Sequence, residues 1–464
     1  MSIRLSLIIT ILISTFFSCK KEGGMSDLAV PIQLSSDTLH FDTVFTNTTS
    51  ITKTFKIYNK NNFKITLTRI AIENQNSFFK LNVDGAAGNA HSNIEILPND
   101  SLYGFVILNA SANNDLQPFV ISDSVLLNIN GTKTFLQLRA LGRNADFLPT
   151  QTLTKDTTWT STKPIVLTGN FIVSENATLT IQPGTRIFAN ANAALIISGS
   201  IMALGEPIAQ NRIIFSGSRL DEPYKNFPGS WPGIFFGTHR KNQILNYCTI
   251  KNAYQGLIFQ PLAVGNNAQV LLNGCELNNI SDIGLGAVNS RITATNCLIT
   301  NCGFNVYAIA GGNYRFQHCT IASIHNNYVE HKNPVFTVSN AGNGQLQNLQ
   351  CFIENSIIYG EGNNTIENEL STQVANGANF QLQVSNSLVG NKRANTVIQF
   401  SNSLLNQSPL FDSINVGRRI FSFLLKPTSP CIDKGILLSG IPTDFVGKNR
   451  ILGTLPDMGC YENK

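Results

Sequence analysis

The chain has 464 residues, only 13% of them charged, and a formal net charge of +5. Its 33 basic residues form no run, so an extended nucleic-acid-binding face is not implied. The length allows two or three domains. Amides and hydroxyls replace the missing charges, and no long segment repeats apolar residues with helical period, so the chain reads as all-β.

The first element is a targeting segment. Arg4 precedes an apolar run from Leu5 to Phe17, short of the about 20 residues that span a bilayer. The run ends at Phe16-Phe17-Ser18-Cys19, with Lys20 and Lys21 following. This resembles a bacterial lipoprotein signal. The resemblance implies removal of residues 1–18, a diacylglycerol on Cys19 and a place in the outer membrane, periplasmic or surface-exposed. An ordinary secretory peptide is the alternative. Residues 19–27 would be a tether, and the lipid on Cys19 the only membrane anchor.

Residues 28–142 alternate with period two in short runs, such as Lys53 to Tyr58, Ile65 to Ile70 and Phe135 to Ala140. Turn signals separate them at Asn59 to Asn62, Pro98-Asn99-Asp100 and Asn130-Gly131. That spacing predicts an Ig-like β-sandwich. The motifs Phe41-Asp42-Thr43-Val44, Phe55 to Asn59 and Leu97 to Ser101 resemble the abnormal-spindle/hydin type of Ig-like domain, which implies a spacer or an interaction surface. Residues 143–158 read as a linker.

From 159 to 425 one pattern recurs. Cys248, Cys275, Cys297, Cys319, Ser356, Ser387 and Ser403 are each a small residue followed by a spacer and then an aliphatic residue. Cys275, Cys297 and Cys319 are 22 residues apart, the signature of stacked coils. Two positions beyond each lie Ile250, Leu277, Ile299, Ile321, Ile358, Val389 and Leu405. In a strand these face the same side as the Cys or Ser, predicting interior ladders. Five positions beyond lie Ala253, Ile280, Cys302 and Ile324, and four beyond lie Asn252, Asn279, Asn301 and Asn391, suited to turns. Parallel stacking holds β-carbons near the strand spacing of about 4.8 Å, so a column of free thiols is expected rather than disulfides. The segments Ile165 to Val173, Ala177 to Thr185, Ala194 to Gly199 and Trp231 to Phe236 resemble right-handed parallel β-helix (pectate-lyase-like) proteins. So do the closing motifs Ser429 to Gly435, Asp444 to Gly447 and Asp457 to Glu462. The resemblance implies a β-helix solenoid over 159–425 and a closing segment at 426–464, whose Asp433, Asp444, Arg450, Asp457 and Glu462 pair locally. Cys431 and Cys460 are the best disulfide candidates, although sequence alone does not establish pairing.

Departures from the 22-residue interval mark loops. The interval after Cys248 has five extra residues, that after Cys319 fifteen and that after Ser356 nine, while the one after Ser387 is six short. The two longest insertions leave adjacent coils near His325 and Glu361, so they should form one projecting edge. This edge carries His325, Tyr328, Glu330, His331, Glu361, Glu367 and Glu369, the candidate ligand-binding residues. From Gly233 to Leu410 there are thirty Asn and one Asp, Asp282, so no Asp-Asp pair is present there to serve as the acid and base of a polysaccharide hydrolase. A lyase would need a calcium site and a basic residue such as Arg291 or Arg315; calcium enters only under that reading. No metal site is expected from His325 and His331, which read as solvated. The expectation is a monomeric envelope protein that binds a polysaccharide or a surface protein without catalysis. A lyase or hydrolase, and a purely adhesive protein, are the alternatives.

Overall fold

The computed structural model describes residues 32–463. The leader, Cys19 and the tether lie outside the described residues. The chain divides into two compact units, at Asn144 and Ala145.

The first unit is two five-stranded sheets around one apolar core. One sheet carries Lys53–Tyr58, Ser101–Leu108 and Phe79–Val83, and the other Thr38–Phe45, Thr132–Arg143 and Phe119–Ile129. Alternation assigns the faces: Phe55, Ile57 and Val106 meet Phe41, Leu127 and Leu138 inside. Asn130 and Gly131 both take positive φ, 47° and 94°, as a tight hairpin between right-twisted strands requires.

The second unit is a parallel β-solenoid with three strand columns. The first column runs from Asp146–Leu148 through Cys248–Lys251 to Leu404–Leu405. The second runs from Gln151–Leu153 to Leu370–Gln373, and the third from Thr157–Trp159 to Ile398–Ser401. The expected ladder holds at every step: Ile250, Leu277, Ile299, Ile321, Ile358, Val389 and Leu405 are successive register partners. All but the terminal Leu405 are buried, each worth about 1.5–3 kcal/mol by transfer.

Cys248, Cys275, Cys297 and Cys319 are buried free thiols. The last three donate S–H to the carbonyls of Leu245, Leu272 and Ala294 at 3.1, 3.7 and 3.4 Å. Ser continues the column: Cys319 N–H donates to Ser356 Oγ at 3.0 Å, and Ser356 N–H to Ser387 Oγ at 2.9 Å. Each coil enters this column through a left-handed residue: Tyr247, Gly274, Asn296, His318, Asn355, Asn386 or Asn402. Asn tolerates that conformation best among non-glycine residues, which accounts for part of the amide content. At position 274 a Cβ would lie 2.4 Å from the Tyr247 ring, so that corner needs glycine.

Three expectations are corrected. Residues 146–159, read mostly as linker, are the first coil: its strands pair in parallel with Ile165–Leu167, Phe171–Val173 and Thr178–Ile181. As a terminal coil it has only one stacked neighbour, so its outward positions stay polar and disguise it. Parallel coiling ends at Leu404–Leu405, and Phe411–Asn415 with Ile420–Leu425 form an antiparallel hairpin instead. Cys431 and Cys460 are both free, and burial pushes each thiol up to about 12. Cys431 faces Ser429 and Cys460 faces Thr320, so the expected bridge does not form.

The closing segment lies along the outer face of the first column. Phe423, Leu425, Cys431, Phe445, Met458 and Cys460 pack on Leu298, Ala322, Ile324, Ile357 and Leu388. The left-handed corner residues anchor it. Asn355 Nδ2 donates to Ile436 O at 2.7 Å, and Asn355 Oδ1 accepts from Ile436 N–H at 2.9 Å. Arg450 bonds Asn296 Oδ1 at 2.5 Å and Glu462 at 3.3 Å. Asp444 and Asp433 each accept several backbone N–H groups of the same segment.

Candidate functional site

The two long insertions do leave adjacent coils. Ile324 and Glu361 are register partners, and His325 N–H donates to Glu361 O at 3.0 Å. Both side chains are exposed. Four other residues of this edge are committed elsewhere. His331 and Glu369 are buried, with Nε2 and Oε2 3.2 Å apart. Glu369 also accepts Val335 N–H at 3.2 Å, and Asn363 Nδ2 donates to His331 O at 2.7 Å. This buried pair fastens one insertion to the other. Glu330 pairs with Lys332 at 2.6 Å, which holds its carboxyl below the usual range, and Glu367 pairs with Arg393 at 2.5 Å.

Tyr328 leaves the edge. Its ring lies under the Arg419 guanidinium, 3.6 Å from the centroid, and 5.4 Å from the Phe227 ring. The carboxylates of the edge therefore do not converge in one groove. Asp282 accepts from Gln255 Nε2 at 2.7 Å, away from them. Among the described residues no three His, Cys, Asp or Glu side chains group to hold a metal ion.

A different surface gathers hydrogen-bonding groups: the outer face of the third column. Arg291, Asn313, Gln350 and Gln381 are successive register partners there. Asn313 Nδ2 donates to Gln350 Oε1 at 3.0 Å, and Gln350 Nε2 to Gln381 Oε1 at 2.9 Å. Two positions along, Gln383 Nε2 donates to Gln399 Oε1 at 3.0 Å. Gln350 both donates and accepts within the ladder, Asn313 and Gln383 only donate and Gln381 and Gln399 only accept, so each keeps further donors or acceptors for solvent or ligand. On this face Arg315 Nη1 pairs with Glu354 Oε2 at 2.8 Å and its guanidinium lies over Phe352 at 5.0 Å, while Arg291 is a single cation that enters none of the ion pairs among the described residues.

The loop after Leu257–Phe259 stands beside this ladder. With Asn289, Arg291, Asn313, Asn348, Gln350 and Gln381 it bounds a cavity of about 680 Å³. The sequence carries a signal for this face. Gln350, Phe352 and Glu354 alternate with buried Cys351 and Ile353, and Gln381, Gln383 and Ser385 with buried Leu382 and Val384.

No family model matches the chain, and no curated protein does. Among solved structures, a family 123 glycoside hydrolase from Clostridium perfringens is 8% identical over 25% of this chain and 30% of that one, with a TM-score of 0.18. A protein of unknown function from Porphyromonas gingivalis W83 is 14% identical over 27% of this chain and 60% of that one, with a TM-score of 0.19. The chain spans less than two thirds of either, and likeness this low carries no argument.

Proposed function

We propose that the solenoid is a non-catalytic glycan-binding module of the cell envelope, and that its third-column face lies against a neutral polysaccharide. The observation that carries this reading is the amide ladder Asn313–Gln350–Gln381 beside the 680 Å³ cavity. Aligned amides offer donors and acceptors at the strand spacing of about 4.8 Å, and sugar hydroxyls both donate and accept. Phe352, half-buried in the next row, gives an apolar sugar face a surface to cover. In the same proposal the solenoid is pectate-lyase-like and the N-terminal sandwich is an Ig-like spacer. Lipid on Cys19 holds the chain to the outer membrane.

The test is a glycan array followed by calorimetry on the soluble chain from Ser26, with products analysed for cleavage. Neutral polysaccharide should bind and be recovered intact. Truncating Gln350 and Gln381 to Ala should weaken binding about tenfold, the loss of one or two hydrogen-bonded contacts at about 1 kcal/mol each. Unchanged affinity in that variant removes the site, and shortened or unsaturated sugars would overturn the non-catalytic reading.

A further inference from the structure

We propose that a second groove, at the turn between the first and second columns, binds an acidic saccharide: a sugar bearing a carboxylate or a sulfate. It is chemically distinct from the third-column face. The groove encloses about 510 Å³, within the range of about 300–1,000 Å³ usual for small-ligand sites. Asn252, Asn279 and Asn301 stack along it, and Lys251, Arg418, Arg419 and Tyr328 surround them.

The lining is fixed in place. Asn252 and Asn279 have positive φ, 60° and 57°, which turns the chain sharply at this corner. Asn279 Nδ2 donates to Asn252 Oδ1 at 2.7 Å and to Asn226 O at 2.8 Å. Asn252 Nδ2 donates to Lys225 O at 2.7 Å, so the amides tie the short turn Tyr224–Asn226 to the coils. Opposite them the hairpin tip brings in Arg419, locked over Tyr328 at 3.6 Å and bonded to Asn226 O at 3.0 Å.

The charge is unbalanced. Lys251, Arg418 and Arg419 enter none of the ion pairs among the described residues. The carboxylate in the lining, Glu222, is neutralised by Lys225 at 2.7 Å. Three cations over a polar floor inside a concave wall focus a positive potential on the groove. Guanidinium groups match carboxylate and sulfate oxygens in paired hydrogen bonds, and the amides suit the hydroxyls of the same sugar. A neutral glycan would leave these cations uncompensated; an acidic one answers both parts of the site.

The experiment is calorimetry on the soluble chain from Ser26 with three probes: tetragalacturonic acid, its methyl ester and a sulfated galactose tetrasaccharide. At least one acid should bind, the neutral ester at least about tenfold more weakly, and added salt should weaken only the acid. The double variant K251Q/R418Q should lose about tenfold or more in acid affinity, and N279D should lose affinity by placing a carboxylate in the lining. Lys251 and Arg418 carry no structural ion pair, so an unchanged melting temperature verifies the fold. Equal binding of acid and ester, no binding of either acid, or unchanged affinity in K251Q/R418Q overturns the proposal. The variant lacking Gln350 and Gln381 should keep full acid affinity, so failure here and failure at the third-column face are told apart.

Discussion

The outer faces of the first and third columns belong to the same coils and share one interior, yet they carry opposite chemistry. Outside the first column stand Leu298, Ala322, Ile324, Ile357 and Leu388, all covered by the closing segment. Outside the third stand Asn313, Gln350 and Gln381, uncovered and bonded in sequence, and Gln383, bonded to Gln399. The interior pattern specifies the solenoid. The exterior pattern states, column by column, whether a face is to be buried by the chain or left open for a partner.

The sharpest way to break this contrast is to release the closing segment. Arg450 is buried with Glu462 at 3.3 Å and also bonds Asn296, a corner residue of the first column. Arg450→Ala leaves the Glu462 carboxyl and the Asn296 amide without that partner. A loss of about 3–5 kcal/mol is expected in urea unfolding at about pH 9, where the Glu462 carboxyl is ionised. A loss below about 1 kcal/mol would mean the segment is held by its apolar contacts alone.

A matched pair of truncations comes next in size. Leu388→Ala, on the covered face, removes a side chain fully buried between coil and closing segment and should cost about 2–4 kcal/mol. Gln381→Ala, on the third column of the preceding coil, should stay within about 0.5 kcal/mol, as exposed substitutions do. Equal costs would show that the third-column ladder is part of the folding core and would weaken its reading as a binding face.

The sequence showed the interior better than the exterior for a physical reason. Inward residues repeat because each must meet its partner in the next coil, so Ile250 to Val389 could be aligned without a structure. Outward residues answer to whatever lies outside. On the first column the closing segment makes both faces apolar, and Thr320-Ile-Ala-Ser-Ile324 is a continuous buried run in which period two disappears. The flank position of the closing segment was therefore hidden. The six-residue deficit after Ser387 had a simple cause: that coil has no second-column strand and passes from Leu388–Val389 to Ile398–Ser401. Insertion length does show where the two insertions leave adjacent coils, at His325 and Glu361. Composition alone could not show that His331 and Glu369 would turn inward to bond each other.

The smallest expected effect belongs to the covered face, where His318, Arg450, Asp457 and Glu462 are sealed against the coils. Burial first, and then the charge of Asp457, pushes the Glu462 carboxyl up to about 8 against the pull of Arg450. Asp457 is moved in the same direction, again mainly by burial. An acid whose folded pKa exceeds its unfolded value binds more protons in the native state, so its contribution to stability is complete at low pH and lost as pH rises towards 8. His318 acts in the opposite sense. Burial and the Arg450 charge lower it to about 2, so its contribution grows as pH rises and is complete above the unfolded value near 6.5. Between about pH 6.5 and 8, Glu462 therefore acts alone of the two. Stability from urea melts should fall across that window in the parent chain and stay nearly flat in Glu462→Gln. Parallel slopes would mean that Glu462 is ionised throughout and that Arg450 outweighs its burial.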